Sequence, residues 1–116
     1  MFSYSDRSLK LGDMQIDFAS PIKDVLEIDN VLLVLLRRVG VKIDAEESMN
    51  RNVHAYNQKG DKLWDIQESP SGGDKDKPYT AIYFDSGDVV AYCGLGFEYS
   101  LNLKTGSVKP RGGRPW

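Results

Sequence analysis

One cysteine and one histidine stand in 116 residues, and these two scarcities exclude more chemistry than any other feature of the sequence. Cys93 has no second thiol in the chain, so no internal disulfide staples the fold, as suits a reducing cytoplasm. His54 lacks the paired spacings of a zinc site: neither Cys-x-x-Cys nor His-x-x-x-His occurs, and no metal is expected. A His-dependent catalytic triad would need His54 beside Cys93 or a serine and a carboxylate, and no spacing brings them together. Gly94-Leu-Gly96 lacks the third glycine of a dinucleotide loop and no helical pattern follows it, so no cofactor is expected. An excess of one charge is also missing. Lys+Arg number 15 against 17 Asp+Glu, a net charge of -2 without a basic cluster, which argues against nucleic acid as partner. Long apolar runs are absent: the longest, Val31 to Leu36, is six residues. A membrane-spanning helix needs roughly 20, so no membrane span is expected. The opening Met1-Phe-Ser-Tyr-Ser-Asp-Arg7 has no basic start leading into an apolar stretch, and the expected compartment is the cytoplasm.

What is present is a period of two. Met14, Ile16 and Phe18 alternate with Gln15 and Asp17, and Phe97, Tyr99, Leu101 and Leu103 alternate with Glu98, Ser100 and Asn102. Such alternation is the mark of strands with one face buried. Val31-Leu-Leu-Val-Leu-Leu36 is apolar at every position, which suits a central strand covered on both faces. Gly12-Asp13, Gln58-Lys-Gly-Asp61 and Ser86-Gly87-Asp88 interrupt alternating runs with turn chemistry, and each reads as a hairpin. The pattern predicts strands at 14–18, 22–28, 30–37, 51–57, 62–68, 79–85, 89–94, 97–103 and 107–110. Helix is confined to one short turn at Asp44-Ala-Glu-Glu-Ser-Met49. Ser69 to Pro78 packs two prolines, two glycines and four charges into ten residues and reads as a surface loop. The expected fold class is all-β: a single antiparallel sandwich, or a curled sheet or partial barrel, built from consecutive hairpins over residues 1–110. Residues 111–116 form a flexible tail.

Three segments place a glycine at the same point of a strand-turn-strand frame: Ala55 to Gly60 to Trp64, Ile82 to Gly87 to Ala91, and Leu101 to Gly106 to Pro110. Their separations of 27 and 19 residues define no repeat period. The stretch Asn52-Val-His-Ala-Tyr-Asn-Gln-Lys-Gly-Asp-Lys-Leu-Trp-Asp-Ile66 resembles one blade repeat of the quinoprotein-type β-propellers. It is similar, too, to a group of small uncharacterised bacterial β-proteins in which the later pieces stand here as Pro78-Tyr79-Thr80 and Lys104-Thr105-Gly106. The resemblance implies local hairpin geometry. A whole propeller needs at least four four-stranded blades, which this length does not supply, and no catalytic or quinone-binding residue carries over.

Aromatic residues crowd the second half, and acids accompany them. Alternation sends Tyr83 and Phe84 to opposite faces, so aromatic surface is left over after the core is filled. Exposed tyrosines beside carboxylates are the composition of a protein-binding patch, with aromatic anchors for burial and charges for orientation. The residues expected to carry binding are Tyr56, Asp65, Tyr83, Asp85 and Glu98. The function expected is a non-enzymatic module that binds another protein, and the bacterial β-protein resemblance implies an immunity-type inhibitor of a toxin. The alternative is a small-molecule or carbohydrate binder or hydrolase, with Trp64, Tyr79 and Tyr92 lining a pocket beside Asp65 or Glu98.

Overall fold

A computed structural model describes residues 2–38, 51–68, 78–93 and 97–111. Its strands are β1 (Phe2–Ser5), β2 (Ser8–Leu11), β3 (Met14–Asp17), β4 (Ile22–Ile28), β5 (Val31–Leu36), β6 (Val53–Tyr56), β7 (Lys62–Asp65), β8 (Ala81–Asp85), β9 (Asp88–Tyr92), β10 (Glu98–Leu101) and β11 (Val108–Pro110). No helix occurs among the described residues. The predicted turn at 44–49, residues 94–96, residues 69–77 of the expected surface loop and residues 112–116 of the expected tail lie outside them. The fold is all-β, as the alternation implies.

The strands form three antiparallel sheets, each a meander taken in chain order: an N-terminal sheet β1-β2-β3, a central sheet β4-β5-β6-β7 and a C-terminal sheet β8-β9-β10-β11. Two clusters of buried side chains show how the sheets stack. Leu33, Leu35, Val53, Ala55 and Ile66 of the central sheet meet Tyr79, Ile82, Val89, Ala91, Tyr99 and Leu101 on the C-terminal side. The opposite parity of the same strands, Leu32, Val34, Leu36 and Tyr56, meets Leu9 and Leu11 of the N-terminal sheet. The central sheet is therefore covered on both faces. That accounts for β5, where Leu32 to Leu36 are at most 1% exposed, and where a run without polar residues is the only pattern that avoids burying an unpaired polar side chain.

β1 and β2 are absent from the predicted strand ranges; they pair from Phe2↔Leu11 to Ser5↔Ser8, and the turn at Gly12-Asp13 joins β2 to β3 in the hairpin expected there. The outer face of this sheet carries Ser3, Lys10 and Gln15 in one row and Ser5, Ser8 and Asp17 in the next. A polar face of that kind ends the stack.

The hairpins follow turn chemistry. Asp29-Asn30 and Ser86-Gly87 are two-residue loops with positive φ at both positions (50° and 66°, 51° and 85°), the arrangement whose twist matches that of antiparallel strands. Gly106 is needed for a different reason: at φ +80° a Cβ would also lie 2.5 Å from Cε3 of Trp64, whose ring packs against this turn. Trp64 is further held by Nε1 donating to the Leu103 carbonyl at 2.9 Å.

Asn52 joins two layers. Fully buried, it donates from Nδ2 to the carbonyls of Leu36 (2.8 Å) and Tyr79 (2.7 Å), and its Oδ1 accepts from the Tyr79 amide (2.9 Å). Its side chain thus serves Tyr79 as a peptide group of a neighbouring strand would. This satisfies the backbone where the chain enters the C-terminal sheet without a strand beside it.

Candidate functional site

In a meander of short strands, side-chain parity decides which residues share a surface. In the C-terminal sheet Ile82, Val89, Ala91, Tyr99 and Leu101 face the core. The intervening positions form the outer face. The register sets Asp85 opposite Asp88, Tyr83 opposite Val90 and Ala81 opposite Tyr92. It continues with Tyr92 opposite Glu98, Val90 opposite Ser100 and Ser100 opposite Lys109. Three residues from the expected binding set, Tyr83, Asp85 and Glu98, therefore stand on one face, and Asp88, Tyr92 and Arg111 join them.

Arg111 organises this face. Its amide donates to the Glu98 carbonyl at 3.1 Å, which carries the edge pairing of β11 one residue further. Its guanidinium lies 3.0 Å from Asp85 Oδ2, 3.7 Å from Glu98 Oε1 and 3.7 Å from Asp88 Oδ2. The hydrogen bond to Asp85 raises the Arg111 pKa, so its charge is permanent. Ser100 Oγ donates to Asp88 Oδ2 at 3.4 Å. Val90 is fully buried although it is on this outer face, between Tyr83 and Ser100 in register. Burial pushes the Tyr83 phenol upward, with the Glu98 carboxylate adding to the effect, and the phenol stays a neutral donor. Composition placed Arg111 in the flexible tail; the structure places it on the sheet, because Lys109 and Arg111 continue the outward parity of β11.

The other two expected residues are elsewhere. Tyr56 is 7% exposed, facing the N-terminal sheet with its ring edge-on to Phe18, at 6.0 Å between centroids. Strand alternation leaves a residue exposed only if one sheet face is bare, and the central sheet has no bare face. Asp65 shares that side of the central sheet. It accepts from His54 Nδ1 in a very short contact and from Lys62 Nζ at 2.7 Å. Burial lowers the His54 pKa against the opposing pull of Asp65, so the pair is a neutral imidazole donating to a carboxylate. Burial raises the Asp65 pKa, but the hydrogen bonds from Lys62 and His54 and the Lys62 charge outweigh it and the net shift is downward. Phe18 stacks on the imidazole at 6.1 Å. These contacts lock the ring between layers.

The expected aromatic pocket is not assembled from its named residues. Trp64 is packed into the core between the central and C-terminal sheets. Tyr79 is 2% exposed with its hydroxyl donating to the Gln67 carbonyl at 2.8 Å. Tyr92 belongs to the outer face and Asp65 to the opposite side of the central sheet. A cavity of about 480 Å³ does open at one end of the central sheet, and Lys23, Arg37, Arg38, Tyr79 and Thr80 are among the residues lining it. Lys23, displaced by a bulge in β4, donates there to the Thr80 carbonyl at 2.6 Å. Among the described residues, no group of three or more His, Cys, Asp or Glu side chains is placed to hold a metal ion. No described helix is long and apolar enough to cross a membrane.

The chain is an all-β stack of three antiparallel sheets whose C-terminal sheet carries tyrosines and carboxylates on its outer face. Residues 1–112 match the family described as "Domain of unknown function (DUF7957)", and the chain belongs to that family. No curated protein and no solved structure matches it.

Proposed function

We propose that this chain is a non-enzymatic, cytoplasmic protein-binding module whose contact surface is the outer face of the C-terminal sheet, and that it serves as an immunity-type inhibitor of a bacterial toxin. The observation that carries this reading is the set Tyr83, Tyr92, Asp85, Asp88 and Glu98 on one sheet face, its carboxylates gathered by Arg111. Anchors already held in position lose little entropy on binding, and tyrosines and charge clusters contribute burial and orientation. Capture from the native host with the wild-type chain and with Glu98→Lys is the test. Recovery of one protein by the wild type, with association at least tenfold slower for the variant, is expected. No specific protein in the wild-type capture sinks the reading.

The cavity beside Lys23, Arg37 and Arg38 supports a second reading, a small anionic ligand held at the end of the central sheet. It predicts a rise in the thermal midpoint with a saturating anionic metabolite, abolished by Arg37→Glu.

A further inference from the structure

At the end of the stack where the tight hairpins lie, no described element covers the core-parity side chain of Phe84. The Asp29-Asn30 and Ser86-Gly87 loops have two residues each, too few to fold back over the gap between the central and C-terminal sheets. Phe84 shares the inward parity of Ile82, yet it is 56% exposed, whereas Tyr79 at the far end of the same interface is 2% exposed. Beside Phe84 lies a groove of about 420 Å³ whose walls include Ile28, Val89, Leu101 and Leu103. Asp29 and Asp88 line its rim against one cation, Lys104. Asp85, across the hairpin from Asp88, turns to the outer face, where Arg111 holds it. Asp88 also reaches the Arg111 guanidinium on the outer face, so the groove and that face are continuous.

We infer that this groove receives a segment of a partner protein that carries a large apolar side chain flanked by arginine or lysine. The apolar side chain stacks on Phe84 and fills the open end of the core, while the cations meet Asp29 and Asp88. Apolar burial supplies the affinity, and the acidic rim selects against segments with acidic flanks. This inference deepens the protein-binding reading and rests on it; it adds which chemistry the partner presents and where.

Two synthetic peptides serve as probes, acetyl-Gly-Arg-Trp-Arg-Gly-amide and its Glu-Trp-Glu counterpart, titrated into the isotope-labelled full chain by NMR. The arginine peptide is expected to give saturable shifts at Ile28, Phe84, Val89 and Leu103, with the glutamate peptide at least tenfold weaker. Phe84→Ser should abolish the shifts, and Asp29→Asn, which retains a residue tolerant of the left-handed turn, should weaken binding several-fold. Equal binding of both peptides, shifts centred elsewhere, or undiminished binding to Phe84→Ser overturns the inference. Dimerisation of the free chain that is lost in Phe84→Ser also overturns it, because a second copy is then the occupant. A captured partner whose affinity falls with Glu98→Lys and is unmoved by Phe84→Ser leaves the outer-face reading standing and removes the groove from it.

Discussion

Replacing Asn52 with alanine removes the side-chain amide that satisfies two carbonyls and one amide group at the junction of two sheets. Asn52 is fully buried, and the Tyr79 amide, the Tyr79 carbonyl and the Leu36 carbonyl all bond to its side chain. A buried polar group left without its partner costs about 1–3 kcal/mol. Some relaxation is certain, since carbonyls retain other acceptor geometry and the main-chain bond from the Leu36 amide to the Asn52 carbonyl, 2.8 Å, is untouched. The expected loss is about 3–5 kcal/mol, a large fraction of the roughly 5–15 kcal/mol that holds a small domain together. Urea unfolding followed by tryptophan fluorescence reads it as a lower midpoint at unchanged slope. Asn52→Asp sharpens the test. An ionised carboxylate has no donor for either carbonyl and is itself desolvated, so its folded pKa rises above the unfolded value and the variant regains stability as pH falls. A loss below about 1 kcal/mol for Asn52→Ala, or an Asn52→Asp variant most stable at neutral pH, would refute the view that this amide replaces a strand.

Further outcomes are open to measurement. Leu33→Ala should cost about 2–5 kcal/mol by chemical denaturation, because the side chain is fully buried in the doubly covered strand β5. Gly87→Ala should cost only about 1 kcal/mol, the backbone strain of φ +85° in open space. Gly106→Ala should cost more than Gly87→Ala, because it adds a collision with the Trp64 ring to similar strain, and paired thermal melts give the difference. His54 has a folded pKa below its ordinary 6.5, so the unfolded chain takes up the proton first and stability falls as pH drops below about 6.5 toward the folded value. Asp65, lowered from 3.8, adds a second loss as pH falls below that figure through its folded value. His54→Gln should flatten the first of these two losses in a series of melts across pH, and an unchanged slope would remove His54 as its source.

Much of the architecture was legible because the relevant signal is local. Period-two alternation marked β3 and β10, a wholly apolar run marked β5 as doubly covered, and Ser86-Gly87 marked the β8–β9 hairpin. The segments around Gly60 and Gly106 share one further device, an asparagine whose Oδ1 accepts from the amide two residues on, Asn57 from Lys59 at 2.9 Å and Asn102 from Lys104 at 2.8 Å, though Asn57 lies three residues before its glycine and Asn102 four. The Ser86-Gly87 turn lacks this arrangement and is a tighter loop, so the third segment shares only its glycine. Gly12-Asp13 marked the β2–β3 hairpin, whereas β1 is a four-residue strand whose pairing with β2 no turn glycine announces.

The site divides along the same line. Parity within a strand placed Tyr83 with Asp85, and local sequence was enough to see that both leave the core together. Whether the other face of a strand meets solvent depends on the next layer, which no local pattern encodes. Tyr56 sits in a sheet covered on both sides and is buried there, and Asp65 on the same side is half-buried and held by His54 and Lys62. Arg111 joined the carboxylates through a pairing with Glu98 thirteen residues away in sequence, made only when β11 closes the sheet edge. Side-chain period and turn chemistry are properties of neighbouring residues, and the sequence alone determined them. Layer order, burial of the central sheet and the meeting of Arg111 with its three acids depend on contacts distant in sequence, and only the tertiary structure decided those.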